Sequence, residues 1–290
     1  MVNIPIQKVL HYEDALKKKT NKILGDYIVS EKLDGNYGYI NYVPGKGYSE
    51  VLSSSGKVFP GMRGFTSELT EPILSHSFRL IFELYNPELT FYEINGLLKR
   101  HERTKDIYLY CHDLVFFSDS KYLYTNALDR FYLMLDMIEL MNHSKLRVSH
   151  ILDVSPEKEV WYKQFDRILD AGGEGIVLKQ ANSMYLPGKR NETLLKMKEN
   201  ITLDVEVIGI FNSVGKKGND ALNLTVRRKS GITYNVVVPK DSDKHKFRNT
   251  PALILGKVVE IKAKNEVENG KLREPRFIRI REDKEIKDID

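Results

Sequence analysis

Alternation of apolar and polar positions predicts strands at 26–29 and 37–42. Between them the chain turns through Ser30-Glu31-Lys32-Leu33-Asp34-Gly35. A third such run spans 48–53, and 78–84 and 107–117 are near-continuous apolar runs of the kind that buried strands carry. Helical spacing covers 11–24, through Tyr12, Ala15, Leu16, Ile23 and Leu24, and recurs at 68–76, 90–100 and 126–141, the last begun by Thr125. Residues 147–150 read as a short strand. A further helix starts at Ser155-Pro156-Glu157, with serine as N-cap and proline at the first helical position, and ends at Gly172-Gly173. An acid, Glu174, then opens a buried strand, and 194–198 alternates so that Lys196 and Lys198 share one face.

The pattern changes after Lys198. Residues 204–211, 222–228, 233–238, 257–264 and 277–281 read as five short strands, with one helical insert near 244–249. That arrangement predicts a small barrel of the OB type. The expected fold is therefore α+β: residues 1–199 with antiparallel sheets and flanking helices, and residues 200–290 as a β-barrel. The loop 212–220 is short, and the charged tail from Glu282 is expected to fray.

Composition narrows the class. The 290 residues are 41% hydrophobic and 29% charged, which suits folded domains and not disorder. A net charge of +5 permits polyanion binding without requiring it. A single cysteine, Cys111, excludes an internal disulfide framework and a cysteine zinc cluster. No apolar run reaches membrane-spanning length, and Met1-Val2-Asn3-Ile4-Pro5 lacks the basic and apolar regions of a signal peptide. A soluble, cytoplasmic protein that does not engage membranes is expected.

Candidate chemistry lies where charge interrupts apolar runs. Lys32 reads either as a solvated lysine beside an Asp34-Gly35 hairpin turn or as a nucleophile whose amine forms a covalent intermediate. Glu83, the single acid of a buried-type strand, needs a partner or a metal unless it faces solvent at the strand end. His112 alone reads as a core histidine and makes no metal site. Glu174 follows two glycines, so that backbone can approach a ligand there. Two lysines without an acid on the 194–198 face invite an anion, although surface strands carry lysines too. The Ser53-Ser54-Ser55-Gly56-Lys57 stretch reads as a hairpin end or as a phosphate-binding loop.

Taken in order, these stretches resemble the covalent nucleotidyltransferases and, within them, the small ATP-dependent DNA ligases of two-domain type. Lys32-Leu33-Asp34-Gly35 matches that family's K-x-D-G motif, and Phe82-Glu83-Leu84 is similar to its third motif. His112-Asp113 stands where an aromatic-Asp pair is usual. Glu174-Gly175-Ile176-Val177 resembles the fourth motif and Lys196-Met197-Lys198 the fifth; the stretch Arg273 to Arg281 looks like the last. The resemblance implies an adenylylation domain at 1–199, an OB-fold domain at 200–290, and ATP with Mg2+ (or Mn2+) as cofactors. It implies that Lys32 accepts AMP, with Asp34 orienting the lysine loop. Glu31, Glu83, His112, Glu174, Lys196 and Lys198 would bind nucleotide, Glu83 and Glu174 a metal, and Arg273 the pyrophosphate. Nicked duplex DNA is the implied partner of a monomeric enzyme of DNA repair or replication.

Three positions depart from the family pattern. Tyr37 and Ser54 stand where arginines are usual, and His112 where a phenylalanine or tyrosine stacks on adenine. Lys57, Arg63 and Arg190 are then the candidates for gripping a DNA phosphate. The alternatives are an RNA ligase, which Glu31 beside the nucleophile resembles, an mRNA-capping guanylyltransferase, and a non-catalytic nucleic-acid-binding module. The barrel pattern after Lys198 argues against the RNA ligases that carry a helical domain there. Glu174-Gly175 in place of Asp-Gly argues against the cappers, and the full complement of acids and lysines argues against a dead module.

Overall fold

A computed structural model describes residues 5–18, 23–72, 76–118, 121–122, 125–214, 220–264, 266 and 270–290. The chain divides into two compact units, Met1–Lys198 and Glu199–Asp290. No helix among the described residues is long and apolar enough to cross a membrane.

The first unit runs β1 (Lys8–His11), α1 (Tyr12–Leu16), β2 (Tyr27–Glu31), β3 (Asn36–Val43), β4 (Gly47–Tyr48), β5 (Leu52–Ser53), β6 (Ser77–Tyr85) and α2 (Phe91–Lys99). It continues through β7 (Tyr108–Ser118), β8 (Lys121–Tyr122), α3 (Ala127–Met141), β9 (Leu146–Val148), β10 (Ile151–Ser155), α4 (Lys158–Asp170), β11 (Gly175–Gln180) and β12 (Arg190–Lys198). One sheet has the order β1-β12-β11-β2-β10, antiparallel except for the parallel β1–β12 pair. The other has the order β4-β3-β6-β7-β8, with β5 also on β3 and β9 on β7.

Each sheet is apolar on one face and mixed on the other, as the two-residue period requires. In the first sheet Tyr27, Val29, Ile176, Leu178, Leu195 and Met197 pack with Trp161 of α4 and Tyr12 of α1. The intervening Ile28, Ser30, Val177, Lys179 and Lys196 line a cavity. In the second, Leu80, Phe82 and Leu84 pack on Ile94 and Leu98 of α2 and on the methionines of α3, while Ile81 and Glu83 line that same cavity. A run that looks continuously apolar thus presents one carboxylate, Glu83, to the site.

Several elements differ from the sequence expectation. Helix α1 stops at Leu16; Leu16 and Leu24 are exposed, Ile23 is buried in the same core as Tyr12 and Ala15 but lies outside any helix, and 19–22 lie outside the described residues. The described part of 68–76 does not form a helix: a 3-10 turn Phe65–Glu68 gives way to extended Leu69, Pro72 follows, and 73–75 lie outside the described residues. The expected 48–53 strand is two short pieces, β4 and β5, both on β3. Asn126, not Thr125, caps α3 by accepting from Asp129 N at 2.9 Å. Ser155 ends β10, Glu157 is the N-cap residue of α4, and Pro156 keeps the serine extended. Strand β10 itself is half-buried with little alternation, which hides it in the sequence. The α4 terminus does follow the glycine signal, with Gly172 at φ 81° just beyond the cap.

The second unit comprises β13 (Ile201–Val214), β14 (Asp220–Arg227), β15 (Thr233–Val237), α5 (Asp241–Asn249), β16 (Val258–Ala263) and β17 (Arg276–Ile280). Its strands close as β13-β14-β15-β17-β16 around Val205, Leu224, Val236 and Ile261, with Phe247 of α5 edge-on to Phe277 at 5.4 Å. The expected OB-type barrel with one helix is present. The tail does not fray. Asp290 N donates to Asp204 O, and Arg281 and Lys284 both pair with the buried Asp204 at 2.7 and 2.6 Å. Most of the short 212–220 loop lies outside the described residues.

Candidate active site

Strand β2 ends at Glu31 and delivers Lys32 to the cavity edge, where Lys32 N donates to Gly175 O at 2.9 Å. That bond places the lysine beside the residue before Gly175. Lys32 Nζ lies 2.6 Å from Glu174 Oε2, and Lys198 Nζ lies 3.8 Å from the carboxylate's other oxygen, Oε1. Glu174 Oε1 is buried and makes no hydrogen bond. Two glycines make this closeness possible. Gly175 has φ 137°, and a Cβ there would sit 2.2 Å from Met197 O; a Cβ on Gly35 would sit 2.4 Å from Leu84 O. Both backbones approach their neighbours more closely than any side chain allows.

The cavity measures about 430 Å³, within the range of small-molecule sites. Its lining includes Glu31, Lys32, Glu83, His112, Arg190 and Lys196, together with Lys8, Ser54, Tyr37, Asp113 and Lys179 among its other polar residues. The expected residues Glu31, Lys32, Glu83, His112, Arg190 and Lys196 therefore converge, and Glu174 and Lys198 adjoin them through the Lys32 contact. Lys57 and Arg63 do not line the cavity: both are exposed, Lys57 in the turn after β5 and Arg63 at the end of a 3-10 turn. Asp34 lies in the turn after Lys32 and is not part of the lining. Arg273 belongs to the second unit, where it is buried beside Glu274.

His112 owes its position to a β-bulge. Ile81 pairs with Asp113 and Phe82 with Cys111, so His112 is an extra residue in β7. Cys111 and Leu114 can then both enter the apolar core while His112 and Asp113 both reach the cavity. Burial, helped by the Lys179 charge, lowers the His112 pKa to about 4, so the imidazole is neutral at pH 7.

Asp113 anchors a buried ionic cluster that sequence reasoning missed. It accepts from Arg130 Nε at 2.9 Å and from Lys179 Nζ at 2.9 Å; Lys179 also donates to His112 O at 2.6 Å. Burial alone would raise the Asp113 pKa, but the two cations outweigh it and hold the carboxyl well below its ordinary range. Arg130 further donates to Thr125 O and Ser183 O. The signal was present: Arg130 sits in the apolar stripe Ala127, Met134, Met137, Met141 of α3, where a charge requires a buried partner.

Among the described residues no group of three or more His, Cys, Asp or Glu side chains is placed to hold a metal by protein donors alone. A magnesium ion needs fewer, because it keeps waters and binds substrate phosphates. The buried Oε1 of Glu174, which makes no hydrogen bond, fits that role.

Comparison with known proteins agrees with this geometry. Residues 87–198 match the family described as ATP dependent DNA ligase domain. A DNA ligase of Methanococcus aeolicus is 27% identical over 206 residues, covering 62% of this chain and 36% of that protein. The chain spans about a third of the length of the curated relatives it matches. Among solved structures, one from a study of the Lig E DNA ligases superposes with TM-score 0.69 at 19% identity, covering 97% of this chain and all of that one. The bacteriophage T7 ATP-dependent DNA ligase in complex with ATP gives TM-score 0.57, also at 19% identity and with the same coverage. These likenesses show a shared fold: an α+β unit of two sheets with flanking helices, followed by an OB-type barrel. The matched segment holds His112, Glu174, Lys196 and Lys198, while Lys32, just after β2, and Glu83, in β6, precede it in the same unit; over that segment the chain is similar to the ATP-dependent DNA ligases.

Proposed function

We propose that the protein is an ATP-dependent ligase that seals 5′-phosphate/3′-hydroxyl nicks in duplex DNA through a lysyl-AMP intermediate. The observation that carries this reading is Lys32 at the edge of a nucleotide-sized cavity, 2.6 Å from Glu174, with Lys198 on the same carboxylate and Lys196 in the wall. The Lys32 amine attacks the α-phosphorus of ATP, forming an N–P bond as the bond to pyrophosphate breaks. Attack requires a neutral amine, and an unperturbed lysine with pKa near ~10.4 is almost wholly protonated at pH 7. Glu174 Oε2 is the acceptor in reach of that proton, and Lys196 and Lys198 offset charge building on the phosphate. AMP then passes to the 5′-phosphate, and the 3′-hydroxyl displaces it to close the backbone.

Glu83 and Glu174 would hold Mg2+, which when bound supplies positive charge to the phosphates. His112 offers a neutral ring for the base. Arg273 from the barrel would assist pyrophosphate departure, with residues 1–198 as the adenylylation domain and 199–290 as the OB domain. Arg190, which lines the cavity, is the candidate for gripping a DNA phosphate in place of Ser54; Lys57 and Arg63 are further candidates. We take the working enzyme to be a monomer on nicked duplex DNA. Incubation with labelled ATP followed by a nicked duplex tests the reading. AMP should first be trapped on Lys32 and then move to the 5′ end. A chain that labels with GTP instead, or that seals only RNA strands, would refute it.

A further inference from the structure

The parallel pairing of β1 with β12 sets Lys8 directly opposite Arg190. Register partners on neighbouring strands project to the same face, and both side chains line the cavity together with Ser54 and Lys196. Like charges placed opposite each other on a sheet destabilise it. Among the described residues neither cation has a carboxylate partner. The acid closest along β12, Glu192, is held by Lys18 at 2.8 Å.

The arrangement is also built to hold its position. Lys8 N donates to Lys189 O and Gly188 N to Ile6 O. Gln7 N donates to the Tyr185 hydroxyl at 2.9 Å, and Gln7 Nε2 to Thr193 Oγ1 at 3.0 Å. Leu186 N donates to Gln7 Oε1 at 3.2 Å. The segment before β1 is therefore stitched to the stretch leading into β12, which fixes in register the two backbones that carry the exposed cations. An arginine fork beside a lysine point charge suits the oxygens of one phosphate ester.

We propose that Lys8 and Arg190 form a two-cation clamp for a phosphate ester at this cavity. The clamp rests on the ligase reading above and deepens it, because it gives Arg190 a partner from the N-terminal strand. The phosphate is either part of the ATP tail or the 5′-phosphate of the nick.

Equilibrium binding separates these sources. Full-length wild type, Lys8→Gln, Lys8→Arg and Arg190→Gln are titrated with ATP, with a 5′-phosphorylated nicked duplex, and with the same duplex bearing a 5′-hydroxyl. Lys8→Gln should weaken one of the first two ligands about ten- to a hundredfold, the loss of one charge-assisted contact. Lys8→Arg should recover most of that affinity. Arg190→Gln should weaken the same ligand. Loss on ATP alone identifies the polyphosphate. Loss on the phosphorylated nick that disappears with the 5′-hydroxyl identifies the nick phosphate. Lys8→Gln affinities equal to wild type for both ligands would overturn the clamp, as would Lys8→Arg performing no better than Lys8→Gln. Binding is read without turnover, so a wild-type chain that formed no adduct at Lys32 would sink the ligase reading and leave this test intact.

Discussion

At the residue scale the site turns on one carboxylate shared by two lysines. Glu174 bridges Lys32 and Lys198 at 2.6 and 3.8 Å, and so holds the Lys32 amine in place. Lys32→Ala and Lys32→Arg should abolish the AMP adduct detected by intact mass, since neither supplies an amine that is neutral at pH 7. Sealing of a pre-adenylylated nick should survive in Lys32→Ala, because that step needs no lysine; an adduct persisting in this variant would refute the assignment. Glu174→Gln keeps the shape but leaves two cations facing a neutral amide. Adduct formation should fall at least tenfold, with raised magnesium restoring only part of it. A wild-type rate would reduce Glu174 to a structural acid. These residues were legible because each is a charge breaking an apolar run. Lys57 and Arg63 lie outside the cavity lining, since sequence proximity to a motif says nothing about which way a turn points.

At the element scale β7 decides the cavity wall. Its bulge sends His112 and Asp113 to one side together, a geometry that strict alternation forbids and that sequence periodicity therefore cannot announce. Asp113 then ties three elements, β7, α3 and β11, through Arg130 and Lys179. Arg130→Met removes one cation from a buried carboxylate and three hydrogen-bonded groups from their donor. A loss of about 3 kcal/mol is expected, visible as a lower urea midpoint at unchanged m-value. A midpoint within error of wild type would mean that Lys179 alone satisfies Asp113. The same wall predicts a pH effect. His112 has a folded pKa of about 4 against an ordinary 6.5, so below pH 6.5 the unfolded chain takes up a proton that the folded chain refuses. Stability should therefore fall as pH drops from 6.5 towards 4, by up to about 1.4 kcal/mol per pH unit from this residue. His11, lowered to about 4 by burial and by Lys196 and Lys198, adds with the same sign. His112→Phe should flatten the curve in that window; an unchanged slope would assign the effect elsewhere. The Asp113 contribution has the usual carboxylate sign and is lost only below this window, as pH falls beneath the ordinary aspartate value.

At the scale of the whole molecule, the hydrophobic pattern revealed the strands of the barrel well because they are short, alternating and bounded by turns. It overreached beyond Leu16, where the helix stops although Ile23 is still buried, and it misjudged the tail. The tail's charges look solvated in sequence, yet they find Asp204 across the barrel, a contact no local window contains. The two units have cores that share no residue: the clusters around Phe82 and Trp161 lie in 1–198, and the one around Leu224 and Phe277 lies in 199–290. Cutting after Lys198 should therefore give two fragments that each unfold cooperatively by calorimetry, the second only if it keeps Asp290 and its bonds to the barrel. A non-cooperative 199–290 fragment would show that its stability is borrowed. The 1–198 fragment retains Lys32, Glu174 and the cavity wall but lacks Arg273. Its melting transition should match that of the same unit in the intact chain, while its rate of AMP adduct formation falls well below the full-length rate. Equal rates would remove Arg273 and the barrel from the first step and leave them only the later ones.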